Sequence, residues 1–175
     1  MLRRKVGEIM IPLESYPHIP YWFSLRQTIA AIQATQRVVV NDAALVPRWV
    51  LVFDEKYQLM GTARRRDILR GLEPDFLSRQ PVEKKKSLFT VKMDPDLAEF
   101  SWDKFLEGMR KQAERPVSDV MQPIKITLDY EDHLMKAIYE MVDFNVSVIP
   151  VIQDGKIAGV LRSTDLLTEV TNMVL

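Results

Sequence analysis

The apolar positions of this chain change period in the same order twice. Leu25, Ile29 and Ile32 recur at helical spacing behind Ser24-Leu25-Arg26-Gln27, a capping-box pattern. Leu134, Ile138, Met141 and Val142 do the same behind Asp129 or Asp132, either of which can cap a helix. Each predicted helix leads to a short apolar run, at residues 49–53 and 146–152, of the kind found in strands buried on both faces. Asp54-Glu55-Lys56-Tyr57 then reads as a turn. Gln153-Asp154-Gly155-Lys156 is a stronger one, because Asp-Gly supplies the positive φ values of a tight hairpin. Second strands are predicted over residues 58–63 and 156–161. A polar turn follows each and opens a helix at Asp67 and at Asp165, with acids where a helix N-terminus favours them. The predicted unit is strand, helix, strand, strand, helix, twice over, in an α/β (α+β) protein.

Two short signatures bracket each unit. Val6-Gly7-Glu8-Ile9-Met10 before Pro12 recurs as Val117-Ser118-Asp119-Val120-Met121 before Pro123. Gly61-Thr62-Ala63-Arg64-Arg65-Arg66-Asp67 recurs as Gly159-Val160-Leu161-Arg162-Ser163-Thr164-Asp165. Met10 and Met121 are 111 positions apart, Gly61 and Gly159 only 98, so the first copy holds about 13 extra residues, expected near residues 38–46. The organisation predicted is repeat one over 1–74, a connector over 75–115 and repeat two over 116–175. The connector carries the solvated run Lys84-Lys85-Lys86. Ser101 can cap a helix there whose stripe of Trp102, Phe105, Leu106, Met109 and Ala113 must bury against the repeats or a partner.

Composition narrows the chemistry. Of 175 residues, 47% are apolar, and 24 Lys and Arg balance 24 Asp and Glu. A nucleic-acid binder would show a basic excess, so no nucleic-acid partner is expected. Zero cysteines exclude disulfides and thiolate chemistry, and His18 and His133 lack metal-ligand spacing, so no metal site is expected. No apolar run reaches the length of a membrane span, and the start has no signal-peptide stretch. The expectation is a cytoplasmic protein with no membrane partner. No Ser/His/Asp set, carboxylate pair or Gly-rich phosphate loop stands out, so no catalytic residue is assigned and the chain is not expected to be an enzyme.

The paired signatures resemble those of cystathionine-β-synthase (CBS) domains, and the likeness covers most of residues 6–72 and 116–174. The family's entry motif is matched at Val6 and Met10 and at Val117, Met121 and Pro123. Its closing motif is matched at Gly61 and Asp67 and at Gly159 and Asp165. Its apolar-Pro-Val strand is matched at Ile149-Pro150-Val151. The resemblance implies a pseudo-symmetric tandem pair packed sheet to sheet, with two clefts, commonly further associated as a homodimer. It implies that adenosyl ligands bind in those clefts: AMP, ADP or ATP, with S-adenosylmethionine also open, and no resident cofactor. The ligand-binding residues it points to are Asp165, Arg162, Gly159, Ser163, Thr164, Ile149, Pro150, Val151 and Thr127 in repeat two, and Asp67, Arg64, Gly61 and Arg66 in repeat one.

One departure from that pattern is the same in both copies. The closing motif's Thr or Ser is Arg64 in repeat one and Arg162 in repeat two. A guanidinium can hold a phosphate by two hydrogen bonds, or it can fill the cleft and exclude nucleotide. Asp67 and Asp165 can be ribose acceptors, helix caps or both. Met10 and Met121 read as core filler, and Tyr21-Trp22-Phe23 as core or dimer packing. The functional expectation is a ligand-sensing module that signals to an unknown effector protein in trans. The alternative is a ligand-free interaction or dimerisation scaffold. With Ser163 and Thr164 beside Asp165, the repeat-two cleft is expected to be the better site.

Overall fold

The computed structural model describes residues 4–35, 39–40, 43–44, 47–75 and 102–175. Repeat one contributes β1 (Ile11–Pro12), β2 (His18–Pro20), α1 (Leu25–Thr35), a small hairpin of β3 (Val39–Val40) and β4 (Ala43–Ala44), β5 (Trp49–Phe53), β6 (Leu59–Arg64) and α2 (Arg65–Leu72). The connector supplies α3 (Trp102–Gln112). Repeat two contributes β7 (Gln122–Pro123), β8 (Leu128–Asp129), α4 (Leu134–Asp143), β9 (Val148–Gln153), β10 (Lys156–Arg162) and α5 (Ser163–Val174).

Local chemistry explains most of these boundaries. The capping box at α1 is reciprocal. The Ser24 backbone N–H donates to Gln27 Oε1 at 2.9 Å, and the Gln27 N–H donates to Ser24 Oγ at 3.1 Å. Asp154 and Gly155 turn the β9–β10 hairpin at φ 50° and 76°. In the other hairpin Asp54 Oδ1 accepts from the Lys56 and Gln58 N–H groups, both at 2.8 Å, and Tyr57 takes the left-handed φ of 59°. Helix α4 departs from expectation. Its N-cap is His133, with no side-chain cap bond. Asp132 instead accepts from the Asp129 N–H and pairs with Lys136, both over one turn of chain. Ser101 and the Lys84-Lys85-Lys86 run lie outside the described residues.

Each sheet is completed by the other repeat. One sheet runs β2-β5-β6-β7 and the other β1-β10-β9-β8. The entry strand of repeat one, β1, therefore lies antiparallel to β10, with Ile11 opposite Val160. The entry strand of repeat two, β7, lies antiparallel to β6, with Gly61 opposite Pro123. The preceding 3-10 turns cross over as well. Val6 N–H donates to the Asp132 carbonyl at 2.8 Å, and Val117 N–H to the Phe23 carbonyl at 2.7 Å. Val6 is buried among Leu128, Leu134, Ala137 and Ile149; Val117 is buried among Ile19, Leu25, Val50 and Ile68. Lys5 pairs with Glu131 and Arg4 with Glu169, so charge holds the entry segment from outside.

This exchange gives the two signatures their meaning. A Cβ on Gly159 would stand 2.1 Å from the Ile11 carbonyl oxygen, and one on Gly61 would stand 2.5 Å from that of Gln122. Only glycine lets the exchanged strand lie this close. The sulfurs of Met10 and Met121 cap the same two glycines, at 3.1 and 3.3 Å from those positions. The entry motif of each repeat is thus the partner of the other repeat's closing motif.

The extra residues of repeat one can be placed. Ten fall between the starts of α1 and β5, where the β3–β4 hairpin lies. One falls between the starts of β5 and β6's closing Arg64. Two fall after β1, where Ile19 follows Pro12 by seven positions while its counterpart Leu128 follows Pro123 by five. That longer link forms a 3-10 turn, Leu13–Ser15, and directs Tyr16 inward. Tyr16 is 2% exposed and joins Ile11, Leu51, Phe53, Val148 and Val160, a cluster drawn from both sheets.

Helix α3 docks by its C-terminal end. Met109 and Ala113 pack on the repeat-one core, the Arg26 N–H donates to the Ala113 carbonyl, and Arg26 pairs with Glu114 at 2.7 Å. Its N-terminal end carries an exposed Trp102 stacked on Phe105. Tyr21 and Phe23 pack on the same core, while Trp22 is exposed.

Candidate functional site

A cavity of about 680 Å³ opens where the two repeats meet. Repeat one supplies Arg48 and Trp49 at the start of β5, Thr62 and Arg64 on β6, and Arg65 and Arg66 at the start of α2. Repeat two supplies residues 122–126 around and after β7, residues 145–148 leading into β9, and Pro150. The exchanged strand β7 brings Lys125 to within the same cavity as the repeat-one arginines. Asn145, in the left-handed conformation at φ 50°, turns the chain from α4 into the cavity wall.

The wall has two characters. Ile124, Ile126, Val146, Val148, Pro150 and the Trp49 ring are apolar. Arg48, Arg64, Arg65, Arg66 and Lys125 are basic, and none of the lining residues is acidic. In a chain with no net charge, this is a local concentration of positive charge. Among the described residues, Arg48, Arg65, Arg66 and Lys125 are exposed and take part in no ion pair.

Arg64 is engaged differently. Its Nε donates to Asp67 Oδ2 at 2.7 Å and its Nη2 to Oδ1 at 2.9 Å, a bidentate pair. Asp67 also accepts from the Arg64 backbone N–H at 3.1 Å, reaching back across the first turn of α2. The helix begins two residues before Asp67, which stands at its third position and is 1% exposed. Burial disfavours the carboxylate. The hydrogen bonds from Arg64 outweigh it and hold the carboxyl below its ordinary value. The guanidinium sits 5.9 Å from the centre of the Trp49 ring, a cation–π contact.

The second signature repeats the pairing. Arg162 Nε donates to Asp165 Oδ2 at 2.7 Å and its Nη2 to Oδ1 at 2.5 Å. The hydrogen bonds that Arg162 donates to Asp165 raise its pKa above the ordinary value. Beside this pair stands Tyr16. Burial raises the phenol's pKa, and Arg162 and Asp165 act on it electrostatically. Its hydroxyl is buried with no hydrogen-bond partner among the described residues.

Of the residues expected from sequence, the cavity gathers Arg64, Arg66 and Pro150. Asp67 lies sealed beneath Arg64. Gly61 and Gly159 face exchanged strands. Arg162, Ser163, Thr164 and Asp165 stand at the other junction, Ile149 and Val151 point into the repeat-two core, and Thr127 does not line the cavity. Sequence reasoning missed Arg48, Trp49 and Lys125. The repeat alignment held the signal for Lys125, since it follows the entry motif that crosses to repeat one. Among the described residues no group of His, Asp and Glu is placed to hold a metal ion, and no helix is long and apolar enough to cross a membrane.

The exchanged strands and the cleft between repeats can be set beside known proteins. A CBS domain profile matches residues 117–172. A CBS domain-containing protein from Bacillus anthracis has a similar structure, at a TM-score of 0.66 and 18% identity over 99% of this chain and 96% of that one. The match falls on the second repeat, and the whole chain has the fold seen in CBS-pair structures. Two further structures share it. CBSX2 in complex with AMP aligns at a TM-score of 0.61 and 16% identity, over 97% of each chain. The cytosolic domain of the Mg2+ channel MgtE in complex with ATP aligns at 0.59 and 16%, over 94% of this chain and 48% of that one. Compared with curated protein sequences, the chain matches none.

Proposed function

We propose that this CBS pair is a regulatory module that binds an adenine nucleotide in the open cavity between its repeats and is not itself an enzyme. The observation that carries the reading is a lining that combines apolar side chains, a tryptophan among them, with basic side chains and no acid among its residues. A base suits the first and phosphates suit the second. The AMP and ATP complexes of structurally similar CBS pairs support the choice of ligand. Both repeats line the cavity, so a bound nucleotide bridges them, and its differential affinity for two inter-repeat arrangements is the signal that an effector protein reads.

The test is a titration of the full chain with AMP, ADP, ATP and S-adenosylmethionine. Of the three tryptophans only Trp49 lines the cavity, while Trp22 and Trp102 are exposed elsewhere. A nucleotide should change Trp49 fluorescence and raise the melting temperature; at a hundredfold excess over Kd the gain is about 2.7 kcal/mol. Trp49→Phe should abolish most of the optical change while calorimetric binding persists. Absence of binding by every ligand would favour the second reading, a ligand-free interaction scaffold. The observation behind that second reading is the internal capture of both signature carboxylates by arginine.

We also propose that the module is a homodimer. Helices α4 and α5 pack side by side and leave Met135, Tyr139, Val142 and Leu167 exposed, an apolar face of the kind that marks an interface.

A further inference from the structure

We infer that the cavity selects its nucleotide by its phosphates and not by its ribose, so that its ligand class is a nucleoside di- or triphosphate, with or without the 2′-hydroxyl. This rests on the reading of the cavity as a nucleotide site and names which part of the nucleotide it reads.

The argument begins with what is missing from the wall. A ribose diol is best held by an ionised carboxylate, which accepts two hydrogen bonds at once. Asp67 is held against the lining residue Arg64, and it is 1% exposed. Both its oxygens already accept from the Arg64 guanidinium, and one accepts from the Arg64 backbone as well. No acid lines the cavity. The ribose is left with hydroxyl and amide groups, those of Thr62, Gln122, Asn145 and Ser147. These make neutral hydrogen bonds that water replaces at little loss.

The second step is what the wall has in excess. Arg48, Arg65, Arg66 and Lys125 bring four cations to one cavity with no counter-charge among the described residues. Gathered in one cavity, these like charges suffer mutual repulsion. An anion relieves it, and relieves it more the more charge it carries. A monophosphate brings less charge to set against these four cations than a di- or triphosphate does. The Arg64–Asp67 pair contributes by holding one guanidinium against Trp49, out of the way of the phosphate path.

The experiment is isothermal titration of the full chain, without divalent cations, with ATP, 2′-deoxy-ATP, AMP and inorganic tripolyphosphate. ATP should bind at least about tenfold more tightly than AMP, and 2′-deoxy-ATP within about threefold of ATP. The ATP affinity should fall steeply as salt is raised. Arg65 and Arg66 are exposed on α2, so the double variant R65A/R66A should fold normally and lose most of the preference for ATP over AMP. AMP binding as tightly as ATP, or a loss of more than about tenfold on removing the 2′-hydroxyl, overturns the inference while leaving the nucleotide site intact. Tripolyphosphate matching ATP supports phosphate selection and removes the base from the reading. If none of the four binds, the nucleotide site falls and this inference falls with it.

Discussion

Each closing motif of this chain carries an arginine where the resemblance expects a hydroxyl, and both arginines turn back onto the aspartate three residues on. The sequence showed the substitution but left open whether the guanidinium meets phosphate, fills the cleft or does neither. A pairing at i, i+3 is local enough to have been anticipated; its consequence, the withdrawal of Asp67 from solvent, depends on how deeply α2 sits. The pairing sets a pH dependence. Because the folded pKa of Asp67 is depressed, its stabilising contribution is complete above the ordinary carboxylate value of about 3.9 and is lost as pH falls through the lower folded value. Asp67→Asn should cost about 1–3 kcal/mol at neutral pH, and its melting curve should converge on that of the wild type below pH 4. Parallel curves down to pH 2.5 would remove the linkage. Tyr16 offers a second reading at this scale. Its hydroxyl is buried without a partner among the described residues, so Tyr16→Phe should raise stability by about 1 kcal/mol in denaturant unfolding. A loss of that size would mean that the hydroxyl is bonded to the Arg162–Asp165 pair.

At the scale of elements, the helices, hairpins and buried strands were legible because each is written in local chemistry. The Ser24–Gln27 box, the Asp154-Gly155 turn and the apolar run ending at Phe53 all act within a few residues. What the chain does not write locally is which copy receives each entry strand. Ile11 and Gln122 belong to equivalent motifs, and nothing in their spacing tells whether β1 pairs with β6 or with β10. Packing decides it, through Met10 over Gly159 and Met121 over Gly61. Gly159→Ala should therefore cost at least about 1–3 kcal/mol, because the clash is with backbone that cannot rotate away. Gly155→Ala meets no neighbour, and its loss should be limited to the strain of φ 76°, about 1 kcal/mol. Urea unfolding of the two variants checks the order, and an equal cost would show that the exchanged strand yields easily.

For the whole molecule, the α/β repeat architecture followed from the doubled pattern, whereas the open cavity did not. Its walls come from residues 48–66 of one repeat and 122–150 of the other, and they meet only after the strands are exchanged. The asymmetry between the two junctions was equally hidden, since it arises from two additional residues after Pro12 that turn Tyr16 inward. The proposed dimer belongs to this scale. Light scattering should give twice the chain mass at micromolar concentration, and Tyr139→Glu with Val142→Glu, both on the exposed face of α4, should return the monomer without unfolding it. A monomeric wild type across that range removes the dimer.

The crossing of the entry segments also orders events during synthesis. Lys5 and its partner Glu131 are separated by 126 positions, and β10 is made later still. At elongation rates of about 5–20 residues per second, the segment around Val6 and Ile11 waits roughly 6–25 s before its resting place has left the ribosome. Throughout that interval its apolar side chains are open to chaperones and proteases. The nascent first repeat is likewise short of the strand that closes its own sheet. Neither half can complete itself ahead of the other, so quality control meets this chain as one late, all-or-none decision.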